Sequence, residues 1–171
     1  MLPEHWILEE LLINTIKSIL YTAFLFCKTH FTEIRRWKLN NQKKGISVFY
    51  GHNRIPKRNE HASGGIIKCQ DLNDTYPNSI KAPNLLYLVS SAMPSYAPIM
   101  VRYAKKAGAK LVLNQNGVAH PAYHNNRCEI MNGPYRNILF HADYVIFQSE
   151  FCMEASKRYL GSWKAKSEVL Y

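Results

Sequence analysis

Three stretches of this chain hold side chains that could do chemistry. The first runs from Gly51 to Ser63 and contains His52, Asn53, Arg54, Lys57, Arg58, Glu60 and His61 before delivering Ser63-Gly64-Gly65 to a helix start. Two glycines there let a ligand approach the backbone. The unpaired N–H groups of a first helical turn, with the helix dipole, then favour an anion such as a pyrophosphate. The pattern is not G-x-G-x-x-G, and Gly-Gly-Ile-Ile-Lys lacks the Gly-Lys-Ser/Thr of a P-loop, so a plain turn into a helix is the competing reading. The second stretch is Asn114-Gln-Asn-Gly-Val-Ala-His-Pro-Ala-Tyr123. Its amides can hold sugar hydroxyls, and His120 can pass a proton near neutral pH. The alternative is a turn whose amides satisfy backbone groups. The third is the junction Gln148-Ser149-Glu150, where an apolar run meets a helical one. His120, His124 and Cys128 stand at i, i+4 and i+8, but Pro121 and Asn125-Asn126 argue against one continuous helix, and no carboxylates cluster nearby. No metal site is expected. Neither a Ser/His/Asp nucleophile motif nor a close carboxylate pair is visible.

The elements that must position these residues follow from periodicity. Short apolar runs at 46–50, 85–89, 110–114, 143–148 and 168–171 read as strands. Helices fit between them: Gly64 to about Leu72 after Ser63, Ser95 to Ala107 stopped by Gly108, one opened by Pro134 and reaching Ala142, and one capped by Ser149 and ending at Leu160-Gly161. Alternation of helices with near-continuous apolar strands predicts an α/β fold, a Rossmann-like doubly wound parallel sheet covered on both faces. Ligands in such folds sit beyond the carboxyl ends of the strands, so the loops after Tyr50, Val89, Asn114 and Gln148 are the ones to search.

Residues 1–44 form a region of their own. No proline or glycine interrupts Trp6 to Trp37, and Leu8, Leu12, Ile16, Ile19, Leu20 and Ala23 recur at helical spacing opposite Glu10, Asn14 and Lys17. The fully apolar part, Ile19 to Cys27, spans about 14 Å as helix against a hydrocarbon core of about 30 Å, so it is no membrane span. Glu4 and the lack of a small-x-small site after Cys27 argue against a secretory signal. Lys28 to Lys44 contains six bases and one acid, half of the net charge of +10. Amphipathic helix, aromatic end and basic block fit a helix lying on an anionic membrane surface through residues 6–44. Packing against a further domain is the other reading, and a solvated linker the bland one for the basic block. Four widely spaced cysteines without a C-x-x-C pair suggest neither a disulfide framework nor a zinc ribbon, and a reducing, cytoplasmic setting is expected, peripheral to the inner membrane face.

The segments Ala62-Ser-Gly-Gly-Ile-Ile-Lys68, Asn84-Leu-Leu-Tyr-Leu-Val-Ser-Ser91, Leu113-Asn-Gln-Asn-Gly-Val118 and Ala142-Asp-Tyr-Val-Ile-Phe-Gln-Ser-Glu-Phe-Cys152 together resemble the N-terminal domain of GT-B-type glycosyltransferases of the family 4 group. The resemblance covers about residues 45–171, and the closing Ser167-Glu-Val-Leu-Tyr171 looks like the strand that leads to the second domain. An unfinished final strand carries the same expectation: residues 45–171 are an acceptor-side half that lacks its donor-binding partner. The resemblance implies a nucleotide-sugar donor, a glycan or lipid-linked acceptor, and no cofactor or metal. It implies diphosphate-facing roles for Gly64 and Gly65, and acceptor- or sugar-facing roles for Asn116, Gly117, Ser149 and Glu150. Many members carry His-Gly where this chain has Asn116-Gly117, and His120, three residues on, is the candidate catalytic histidine. Without the second domain's charges a departing diphosphate lacks stabilisation, so the 171 residues alone are expected to be inactive. Two other classes compete: a non-catalytic Rossmann-like binding module or degenerate glycosyltransferase, and nucleic-acid binding through the basic block. The last lacks any recognised RNA or DNA motif in the body.

Overall fold

The computed structural model describes residues 4–38 and 45–170, with side chains from Leu12 onward. Its elements are α1 (Glu4–Trp37), β1 (Val48–Phe49), α2 (Gly64–Asn73), β2 (Leu85–Val89), α3 (Ala97–Lys106), β3 (Lys110–Gln115), α4 (Pro121–His124), α5 (Cys128–His141), β4 (Tyr144–Phe147), α6 (Glu150–Leu160) and β5 (Lys166–Val169), with single 3-10 turns at Ser90–Ala92 and Asn125–Arg127. The five strands form one all-parallel sheet in sequential order, β1-β2-β3-β4-β5. Helices cover both faces, so the fold is Rossmann-like and doubly wound, with a long helix in front.

Alternation along the strands assigns the two faces. Phe49, Leu86, Leu88, Leu111, Leu113, Val145 and Phe147 point to one side, where Trp37 of α1, Ala97, Val101 and Ala104 of α3, Ile138 and Leu139 of α5 and Leu160 of α6 cover them. Val48, Tyr50, Tyr87 and Val89 point to the other, against Cys69 and Leu72 of α2. Helix α2 thus lies on the face opposite α3, and from it the chain passes the free edge of β1, where Ser79 N–H donates to the Val48 carbonyl, and then the end of α1, where Ala82 N–H donates to the Arg36 carbonyl, before entering β2. The 51–63 loop supplies the chain length that carries α2 to the far face.

Several boundaries differ from the sequence expectation, each for a physical reason. Helix α5 opens at Cys128, not at Pro134, which sits inside it. A proline costs an internal helix the donor to its i−4 carbonyl, here that of Ile130, whose side chain is exposed at the surface of the helix. Strand β1 is only two residues long, because Ile46 is exposed and Tyr50 turns its N–H to the Asn78 side chain (3.3 Å). Segment 78–79 thereby shields the free edge of β1, with Ser79 N–H donating to the Val48 carbonyl at 2.7 Å. Strand β5 lies two residues earlier than expected, and its Lys166, Ser167 and Glu168 are exposed as an edge strand tolerates. Tyr171 lies outside the described residues.

The last turns of α1 belong to the body. Trp37 is in the core, and Glu33 is buried with its carboxylate accepting from the Arg36 guanidinium and, at 2.8 Å, from the Trp37 indole. Arg36 also stacks over the Phe49 ring at 3.8 Å and donates to the Asn53 side chain at 2.8 Å. The expected boundary at residue 44 falls among residues 39–44, outside the described ones. No helix among the described residues is long and apolar enough to cross a membrane.

Candidate functional site

Helix α2 follows β1 onto one face and α3 follows β2 onto the other, so the carboxyl ends of β1 and β2 mark the change of face, the end of the sheet at which doubly wound folds hold ligands. The loop from β1 to α2 is braced on itself and on α2. Arg54 binds Glu60 in two contacts, Arg58 bridges Asp71 and Asp74, and Gln70 donates to the carbonyls of Pro56 and Lys57. The cations Arg54 and Arg58 are therefore matched by acids on the loop and on α2. His52 donates from Nε2 to the Ala92 carbonyl at 2.9 Å, tying the loop after β1 to the turn after β2.

The two candidate glycines divide in role. A Cβ on Gly65 would stand 2.6 Å from Ser91 Oγ and 2.7 Å from Ala92 Cβ, so this glycine exists for the close approach of α2 to the 90–92 turn. A Cβ on Gly64 would meet nothing within 4 Å, and the residue is exposed at the first position of α2. Ser63 precedes it as N-cap in extended conformation without closing the cap through its hydroxyl. Of the pair, Gly64 is the one a ligand can reach.

Asn116 is the hub of the edge. Its Oδ1 accepts from the Ser90 hydroxyl and from Ser91 N–H (3.1 Å), its Nδ2 donates to Ser91 Oγ (2.8 Å), and its own N–H donates to Ser90 Oγ (2.9 Å). The Cys152 thiol reaches the Asn116 carbonyl at 3.3 Å. The chain thus straps the ends of β2 and β3 to the start of α6. One Nδ2 hydrogen of Asn116 is left for a ligand, next to exposed Gly117. Ser149 caps α6, its hydroxyl accepting from Cys152 N–H at 3.1 Å, and Glu150 occupies the exposed first turn, where the helix dipole favours a carboxylate.

His120 has a different occupation. Its Nδ1 accepts from Ala122 N–H at 3.1 Å as the N-cap of α4, which assigns the ring proton to Nε2, and Nε2 then donates to the Tyr159 hydroxyl at 3.0 Å. Both ring nitrogens are engaged, so proton transfer to a substrate requires one of these bonds to open. His124 Nδ1 faces the His120 carbonyl at 3.4 Å and Cys128 donates to the Asn125 carbonyl at 2.8 Å. Among the described residues no three His, Cys, Asp or Glu side chains converge on a common metal position.

Lys68 of α2 is the residue the sequence did not single out. Its Nζ bonds Asn114 Oδ1 at 3.1 Å and Gln148 Oε1 at 3.3 Å, with Asn114 oriented by the Tyr87 hydroxyl at 3.0 Å. Burial pulls the amine below its ordinary pKa, opposed in part by the Cys152 and Cys69 thiols. An ammonium held by two neutral amide oxygens keeps its charge for an arriving anion. Gln148 lies 80 residues downstream, and only the Lys at i+4 from Gly64 could have signalled this position.

No protein-family model matches the chain, and neither a curated protein nor a solved structure matches it significantly.

Proposed function

We propose that this chain is the acceptor-side unit of a GT-B-type glycosyltransferase, which passes a sugar from a nucleotide diphosphate donor to a glycan or lipid-linked acceptor at a membrane face. The observation that carries the reading is the carboxyl edge itself: an open Gly64 at the start of α2, the Ser90–Ser91–Asn116 strap beside it, and the Lys68 ammonium on neutral amides. In this reading Gly64 N–H and Lys68 face the donor diphosphate, while Asn116 Nδ2 and Gly117 meet acceptor hydroxyls. Ser149 and Glu150 set the start of α6 at the rim. His120, with both nitrogens engaged, positions α4 against α6 in the resting state. The exposed apolar side of α1 keeps the unit at the membrane.

Backbone amide NMR of the 171-residue chain tests this. Titration with a nucleotide sugar, inorganic pyrophosphate and a short polyisoprenyl phosphate should move the amides of Gly64, Lys68, Ser91 and Gly117. Silence of that edge toward all three would end the proposal.

A further inference from the structure

Helix α4 is a single turn, Pro121–His124, and none of its four residues is buried. Tyr123, at 85% exposure, gives it no apolar anchor. The turn ends on Asn125 at φ +48°, a backbone region that favours glycine. What holds it is His120. The His120 carbonyl accepts from the N–H groups of Tyr123 and His124, both at 3.0 Å, and faces the His124 ring at 3.4 Å. The His120 ring caps the turn through Nδ1 and reaches Tyr159 of α6 through Nε2. An element with so few buried contacts opens at low free energy, so its order depends on that ring.

Protonation separates two states. In the neutral ring Nδ1 is a bare acceptor and takes the Ala122 N–H. In the imidazolium both nitrogens are donors. Nε2 keeps its bond to the Tyr159 oxygen, but Nδ1–H would then face Ala122 N–H, donor against donor, across 3.1 Å. The cap does not survive that. The charged and titratable groups around the ring are His124 on α4, Tyr159 on α6 with the Arg158 guanidinium 5.4 Å from its ring centroid, and Arg136 on α5, which donates to the Tyr159 carbonyl and is paired with Glu129. Among the described residues no carboxylate bonds the His120 ring, so a charged ring finds no counter-ion in the capped position.

We propose that His120 is a pH-sensitive latch: uptake of a proton from solvent at Nδ1 breaks the cap, frees α4 and loosens the Gly117–Tyr123 segment beside Asn116. Imidazoles change charge between about pH 5 and 8, the range over which the latch works. The latch stands on this geometry alone; its effect on an acceptor at Asn116 and Gly117 rests on the reading above.

The experiment is amide exchange and NMR of the full chain at about pH 8 and about pH 5, with each rate referred to the unstructured peptide at the same pH. Protection at Ala122 is expected to fall about fivefold at the lower pH, the worth of one side-chain cap, while Ile138 and Leu139 of α5 stay protected. His120→Asp and His120→Asn each supply a cap that takes up no proton over this range, and both should remove the step. His120→Ala should show the low protection at both pH values. His124→Gln, which leaves the His120 ring in place, should keep the step. An Ala122 amide that stays protected while the His120 ring signals titrate would overturn the proposal. So would a step of wild-type size in either capping variant, or a His120 ring that takes up no proton over the range. None of these readouts needs a ligand, so failure here leaves the carboxyl-edge titration standing, and failure of that titration leaves the latch standing.

Discussion

Replacing Gly65 and Gly64 separately by alanine sets two neighbours with the same propensity change against each other. In Gly65→Ala the new methyl meets Ser91 Oγ at 2.6 Å, Ala92 Cβ at 2.7 Å and Ala92 N at 3.0 Å. The serine hydroxyl is held by Asn116 Nδ2 and the other two atoms belong to a 3-10 turn, so relief requires α2 to shift on the sheet. Overpacking of this kind costs about 1–3 kcal/mol, offset by at most about 1 kcal/mol of helix propensity. A net loss of about 1–2 kcal/mol is expected. For a chain of this size about 1 kcal/mol moves Tm by roughly 2–8 °C, so the melting curve followed by circular dichroism should fall by several degrees. In Gly64→Ala the methyl meets nothing within 4 Å, so stability should hold or rise by up to about 1 kcal/mol. The same variant should lose the pyrophosphate-induced amide shifts, because the methyl occupies the open approach to the helix start. A Gly65→Ala protein as stable as wild type, or a Gly64→Ala protein equally damaged, would refute the division of roles.

Glu33→Ala tests whether the end of α1 belongs to the core. It leaves the Arg36 guanidinium, 5% exposed, without its carboxylate, and should cost about 3–5 kcal/mol in urea denaturation; a loss below about 1 kcal/mol would place α1 outside the cooperative unit. Asp143 gives a pH signature. Burial raises its pKa, but bonds from Lys105, from Leu111 N–H at 2.8 Å and the Lys110 charge outweigh that and hold it below the ordinary 3.8. A depressed carboxylate contributes stability that is complete above the unfolded-state pKa and is lost as pH falls through the folded one. Asp143→Asn, which keeps the acceptor for Leu111 N–H, should therefore be less stable than wild type by about 1 kcal/mol at neutral pH, with the gap closing below about pH 4. A gap that persists at pH 2 would assign the effect to packing.

The fold was legible where the signal is local. Hydrophobic runs placed β2, β3 and β4, Gly108 stopped α3 with φ +77°, and Ser149 capped α6, because each depends on residues within one turn or strand. What was not legible depends on partners far along the chain. Glu33 and Arg36 read as part of a basic block facing either an anionic partner or solvent, yet Trp37 and Phe49 bury them. Asn116 read as a polar group free for sugar, whereas Ser90 and Ser91, some 25 residues earlier, take most of its bonding capacity. Pro134 read as a helix start because a first-turn proline and an internal one look alike without the preceding turn, which Cys128 to Gly133 supply.

The placement of α2 on the face opposite α3 links the fold to the site. Carrying α2 to the opposite face requires a long loop with its own bracing, which Arg58 to Asp71 and Asp74, Arg54 to Glu60 and His52 to Ala92 provide. It also requires α2 to approach the 90–92 turn more closely than any side chain permits, which fixes glycine at 65. That close packing leaves Gly64 open at the carboxyl edge and sets Lys68, one helical turn later, over the ends of β3 and β4.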